Sequence, residues 1–147
     1  MYRHILIPTD GSELAEHGVT NGLALAKSLG AKVSVIVVEE PFDWHRFSEI
    51  TKRPPEEFRR YAEQSKQDAK SVLDRTANAA KQAGVACETI HVESAQPYQA
   101  IIATATDNGC DLIVMSSHGR SGLAGILIGS VTNKVLTHTK TPVLVCH

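Results

Sequence analysis

No stretch of the 147-residue chain approaches the roughly 20 consecutive apolar residues that span a bilayer. The first apolar run, Ile5-Leu6-Ile7, is too short for a signal-peptide core and has no small-residue cleavage site behind it. Cysteine is scarce: Cys87, Cys110 and Cys146 are widely spaced and odd in number, which excludes a disulfide framework and a zinc site. All three read as small buried thiols in a reducing cytoplasm. An excess of either charge is also missing. With 15 basic against 16 acidic side chains, no global field favours nucleic acid or a membrane surface. The local basic pairs Lys52-Arg53 and Arg59-Arg60 read as solvated surface. Three motifs are absent as well: G-x-x-x-x-G-K-[ST], G-x-G-x-x-G after the first strand, and G-x-S-x-G. Their absence argues against a P-loop, a dinucleotide fingerprint and a nucleophile elbow.

What is present suits one soluble globular domain, residues 1–147, with 42% hydrophobic and 21% charged residues and neither internal repeat nor linker. Tyr2 to Pro8 is β-branched and apolar and ends in the turn residues Thr9-Asp10-Gly11-Ser12. Asp10 or Ser12 caps the helix that follows to Leu29, whose packing face is small: Ala15, Val19, Gly22, Leu23, Ala26 and Leu29. Lys32 to Val38 is nearly continuous in valine and isoleucine, the pattern of a strand covered on both faces. Residues 39–55 hold Pro41, Pro54 and Pro55 and read as a long excursion.

A long amphipathic helix is predicted over Glu56 to Ala83, packing through Ala62, Ala69, Val72, Leu73, Ala79, Ala80 and Ala83. Val85 to Val92 alternates and carries Glu88 and His91, as a strand near an edge does. Pro97 opens a helix through Asn108 and Gly109 with Ala100, Ile101 and Ala105 facing inward, and Asp111 to Met115 is a buried strand. After a glycine-rich loop come a helix from about Ser130 to His138 and a final strand, Thr141 to Cys146. The β-α-β-α-β-α-β-α-β alternation predicts an open doubly wound parallel sheet with helices on both faces.

Ligands of such sheets bind beyond the carboxyl ends of the strands, where the winding reverses. Two strand ends carry suitable groups: Pro8-Thr9-Asp10-Gly11-Ser12, and Met115-Ser116-Ser117-His118-Gly119 running through Gly122 and Gly125 to Gly129-Ser130. If those strands are neighbours, both loops open onto one crevice. Glycine lets backbone N–H groups approach an anion and permits positive φ, and a helix start favours phosphate. Ser130 adds a hydroxyl donor and Arg120 a charged one. From local chemistry alone, Ser130 as a plain helix cap and Gly119 as a plain turn stand equally beside that reading.

Asp10 either faces a ligand or caps its helix, and His118 either does acid–base chemistry or orders its loop. The remaining histidines, His4, His17, His45, His91, His138 and His147, lack metal-ligand spacing. Phe42, Trp44 and Phe47 either cover a ligand or partner or anchor their loop. Ser116 and Ser117 precede a histidine, but adjacent residues at a strand end diverge and make no triad.

The stretch Asp111 to Val145 resembles the C-terminal half of the universal stress protein (UspA) family. ATP-binding members of that family carry G-x-x-G, nine residues, then G-[ST]. Here Gly119, nine intervening residues and Gly129-Ser130 match, while Ser116 stands at the first glycine. Ile5-Leu6-Ile7-Pro8-Thr9-Asp10-Gly11-Ser12, the following helix and Val35-Ile36-Val37-Val38 extend the resemblance over the whole chain. It implies an adenine nucleotide alpha hydrolase-like five-stranded sheet of order 3-2-1-4-5 and a homodimer, often paired through the last strand.

By position, the resemblance nominates Pro8, Thr9, Asp10 and Val38 for the nucleoside end. Met115, Ser116, His118, Gly119, Gly129, Ser130 and Val131 would meet ribose and phosphates, and a divalent ion such as Mg²⁺ would be held mainly by phosphate oxygens and water. The function expected is a stress-response regulator or signalling module binding ATP, ADP or AMP. The alternative is a dimeric interaction module of the same family without nucleotide. Dedicated catalysis is not expected; slow ATP hydrolysis stays open, although no residue is evidently placed as a base for it.

Overall fold

The first strand, β1 (His4–Pro8), is pinned at its start by a residue 107 positions away. In the computed structural model, which describes residues 1–119 and 128–147, the Asp111 carboxylate accepts from the N–H groups of Arg3 at 2.9 Å and His4 at 3.0 Å. The strand begins at His4, two residues later than its apolar pattern predicts, although the Arg3 carbonyl still accepts from Lys32 N at 3.0 Å. The bonds to Asp111 set β1 beside β4 (Leu112–Ser116), with Ile5 opposite Leu112 and Leu6 opposite Ile113.

The other elements follow in the predicted alternation: α1 (Glu13–Leu29), β2 (Lys32–Glu39), α2 (Trp44–Thr51), α3 (Pro55–Ala83), β3 (Cys87–Glu93), α4 (Pro97–Asp107), α5 (Ser130–His138) and β5 (Val143–Cys146). All strand pairs are parallel, and the order is β3-β2-β1-β4-β5. This is the expected 3-2-1-4-5 sheet, with the alternating strand β3 at one edge. Val85 belongs to the preceding turn, its N–H donating to Ala80 O, so β3 starts at Cys87.

Side chains of the central strands alternate between two cores, as the period-2 pleat requires. Ile5, Ile7, Val33, Val35, Val37, Leu112 and Val114 face α1 and α3. Leu6, Ile36, Ile113 and Met115 face Ile101 and Ala105 of α4 and Val135 of α5. The small face of α1 allows close approach: a Cβ on Gly18 would lie 2.8 Å from Ser116 N.

Further details differ from the sequence reading: Leu29, predicted on the packing face of α1, is exposed. Residues 39–55 contain the helix α2, which buries no residue. On α3, Thr76 is buried, its hydroxyl satisfied by Val72 O at 2.8 Å, while Ala79 is exposed. Cys110 is buried, but Cys87 and Cys146 are only half-buried at the margin of a core.

Candidate functional site

Beyond Leu6, β1 stays with β2, and the N–H of Thr9 donates to Ile36 O at 3.0 Å. The crevice therefore opens between the loops that follow β1 and β4. In the first loop each polar group has a distinct task. Ser12 caps α1, accepting from Ala15 N at 3.1 Å. Asp10 Oδ1 accepts from Ser12 N at 3.0 Å, closing a turn, so the capping role open to Asp10 falls to Ser12. Its other oxygen, Oδ2, is turned towards the second loop, 2.6 Å from where a Cβ on Gly119 would lie.

The second loop is folded onto itself. Ser116 Oγ donates to His118 O at 2.5 Å, and Thr132 Oγ1 of α5 donates to Ser116 O at 2.9 Å. Gly129 N donates to Ser117 O at 2.6 Å, and Ser117 N donates to Cys146 O at 2.8 Å. The carbonyls of Ser116, Ser117 and His118 are thus all satisfied within the protein. A Cβ on Gly129 would lie 3.1 Å from Ser117 O, so the start of α5 presses directly on the loop. Gly129 is the N-cap of α5 and Ser130 its first residue; among the described residues no side chain caps this helix. Its first turn presents backbone N–H groups and the partial positive charge of a helix start.

Together the loops and sheet enclose a cavity of about 500 Å³, a size common among small-molecule sites. Pro8, Thr9, Asp10 and Val38 line one side, and Met115, Ser116, His118, Gly119, Gly129, Ser130 and Val131 line the other. The structure therefore brings eleven of the twelve predicted site residues to one cleft. Arg120, like Gly122 and Gly125, lies outside the described residues.

Sequence reasoning missed Ala15, Ile36, Glu40, Pro97, Ile101 and Thr132 in the lining. Ile36 was detectable, because period 2 puts it on the same face as Val38. Thr132, three residues past Gly129, was detectable from helical spacing. Pro97 and Ile101 carry only the signal of a helix start and a core face.

The two ends of the cavity differ chemically. Ile36, Val38, Ile101 and Met115 make an apolar wall, whereas Gly119, Gly129 and the α5 start offer backbone donors. Neither lysine nor arginine is among the described lining residues. His118 Nδ1 is 3.1 Å from Ser117 Oγ, and its buried Nε2 has no hydrogen-bond partner among the described residues. Among the described residues, no group of three or more His, Cys, Asp or Glu side chains is placed to hold a metal ion.

A five-stranded parallel sheet with its cleft at the 1–4 reversal defines a doubly wound α/β protein of the adenine nucleotide alpha hydrolase-like fold. The universal stress protein family profile matches residues 1–147, and the chain belongs to that family. Universal stress protein MJ0531 of Methanocaldococcus jannaschii is 32% identical over 154 residues, covering 99% of this chain and 82% of its own length. The solved structure of hypothetical protein MJ0577 superposes with a TM-score of 0.76 at 29% identity, covering 99% of this chain and 96% of that one. A universal stress protein solved in complex with cAMP gives a TM-score of 0.69 at 26% identity, covering 99% and 97% of the two chains.

Proposed function

We propose that this chain is a stress-response regulator or signalling module that binds an adenine nucleotide (ATP, ADP or AMP) in the cleft between the loops after β1 and β4. The observation that carries the reading is convergence on one cavity. An apolar wall suited to a base faces the start of α5, whose backbone N–H groups and partial positive charge suit phosphate. The relative solved with cAMP supports an adenine nucleotide as the ligand class.

In this reading Pro8, Thr9, Asp10 and Val38 take the nucleoside end. Met115, Ser116, His118, Gly119, Gly129, Ser130 and Val131 take the sugar and phosphates, with Arg120 an added donor. Mg²⁺ would be carried by phosphate oxygens and water rather than by a protein cage. The nucleotide would act as a signal, with any ATP hydrolysis slow.

The working form is a cytoplasmic homodimer paired through β5. The sheet's two edges differ in protection: β3 presents Glu88, His91 and Glu93, whereas β5 is Val143-Leu144-Val145-Cys146 with Leu144 44% exposed. Charged edges resist pairing and an uncharged apolar edge invites it.

Calorimetry with ATP, ADP and AMP, with and without Mg²⁺, tests the site. Gly129→Asp places a carboxylate at the α5 start and a Cβ against Ser117 O, and is expected to abolish binding at millimolar nucleotide. No binding to the unmodified protein, or equal binding to Gly129→Asp, contradicts the reading.

A further inference from the structure

The loop after β1 faces the cleft on one side and rests on α3 on the other. Gly11, at φ +78°, is seated so closely on that helix that a Cβ there would collide with Val72 Cγ2. Three residues further along α3, the Arg75 side chain crosses to the loop and to α1. Its Nη2 donates to Glu16 Oε1 at 3.1 Å and to Gly11 O at 3.4 Å. Glu16 is tied to the same loop, its N–H donating to Ser12 O at 3.1 Å. The Lys70–Asp74 pair, by contrast, stays within α3.

The Gly11 carbonyl and the Ser12 N–H are the two ends of one peptide group. That group is planar and trans, so its ends point in opposite directions and turn only together. On the outer side the carbonyl meets the Arg75 guanidinium; on the inner side the N–H donates to Asp10 Oδ1 at 3.0 Å. Glycine at position 11 leaves this peptide unusually free to rotate. A guanidinium on the carbonyl resists that rotation and polarises the N–H at the other end. Asp10 is thereby held with Oδ2 turned towards Gly119. Arg75 itself does not line the cavity. We propose that Arg75 is a positioning residue for the cleft, fixing the Gly11–Ser12 peptide and through it the Asp10 carboxylate that meets the ligand. The inference rests on the nucleotide reading of the cleft.

Two measurements test it. In the ligand-free protein, the carboxylate ¹³C resonance of Asp10 is expected to move in Arg75→Gln. It should stay in place in Lys70→Gln, which removes the same charge from α3 without touching the loop. Calorimetry then reads the ligand. ATP should bind Arg75→Gln about 2- to 5-fold more weakly, the range of one exposed charged contact, and Lys70→Gln as tightly as the unmodified protein. In an Asp10→Ala background, Arg75→Gln should cost no further affinity, because its effect passes through Asp10. A merely structural role would give the same loss in both backgrounds. That result, or an Asp10 carboxylate unmoved by Arg75→Gln, overturns the inference and leaves the nucleotide site standing. Failure of ATP to bind the unmodified protein overturns the nucleotide reading, while the Asp10 resonance still decides whether Arg75 holds this carboxylate.

Discussion

Because a Cβ on Gly119 would sit 2.6 Å from Asp10 Oδ2, the absence of a side chain here lets the loops after β1 and β4 meet. The sequence reading allowed for a positive φ at this glycine, but Gly11, Gly30, Gly84 and Gly109 are the glycines with one among the described residues. Close approach is the reason instead. Gly119→Ala is expected to displace the Asp10 carboxylate and weaken ATP binding about tenfold, an overpacking effect readable by calorimetry. At the opposite end of the sheet, His4 is buried between Ser34 Oγ, 2.7 Å from Nε2, and Asn108 O, 3.1 Å from Nδ1. Burial, helped by the nearby charge of Lys32, holds the imidazole below its ordinary pKa against the pull of Asn108 O, Glu88 and Asp111. The unfolded chain therefore binds the proton more readily than the folded one. Stability should fall as pH drops below about 6.5, and urea unfolding of His4→Gln should show a shallower decline over that range.

At the scale of elements, the strands were legible because valine and isoleucine runs buried on both faces have few other readings. The small face of α1 and the edge position of β3 were legible for similar reasons. The helix α2 was not, because it has no core-facing stripe: its apolar residues pack on one another. Phe42 lies 5.1 Å from Phe47 and 5.1 Å from Phe58, and Trp44 lies 5.2 Å from Phe58, between ring centroids. A local signal did exist. Asp43 caps α2 by accepting from Arg46 N at 3.1 Å, with Phe42 before it and Phe47 four residues after it, the arrangement of a hydrophobic staple. On α3, equal weight for every alanine put Ala79 inside and overlooked Thr76, since side-chain type alone does not show which hydroxyl can bond back to its own helix. Because the aromatic group lies outside both cores, Phe58→Ala should speed amide exchange across α2 while moving the melting temperature by no more than about 3 °C. A much larger drop would make α2 part of the cooperative core.

For the whole molecule, strand order is what turns two separate loops into one cleft. The alternation of elements predicted parallel strands, and the family resemblance supplied the order 3-2-1-4-5. The physical cause of the β1–β4 contact includes the Asp111 clamp, a long-range bond that no local pattern reveals. The lining contributed by α4 was hidden for the same reason, since Pro97 and Ile101 reach the cleft only through tertiary packing. The bare β5 edge gives a prediction at this scale. Leu144→Glu should convert a dimer to a monomer in sedimentation velocity without unfolding it, because the leucine is largely outside the core. A monomeric unmodified protein would refute pairing through β5.

The central claim, that an adenine nucleotide occupies the cleft, is tested most directly by following backbone amides by NMR during titration with ATP. The largest shifts are expected at Thr9, Asp10, Ser116 to Gly119, and Gly129 to Val131. Shifts clustered elsewhere, such as the α3 surface around Ser71 and Arg75, or no shifts at millimolar ATP, would contradict it.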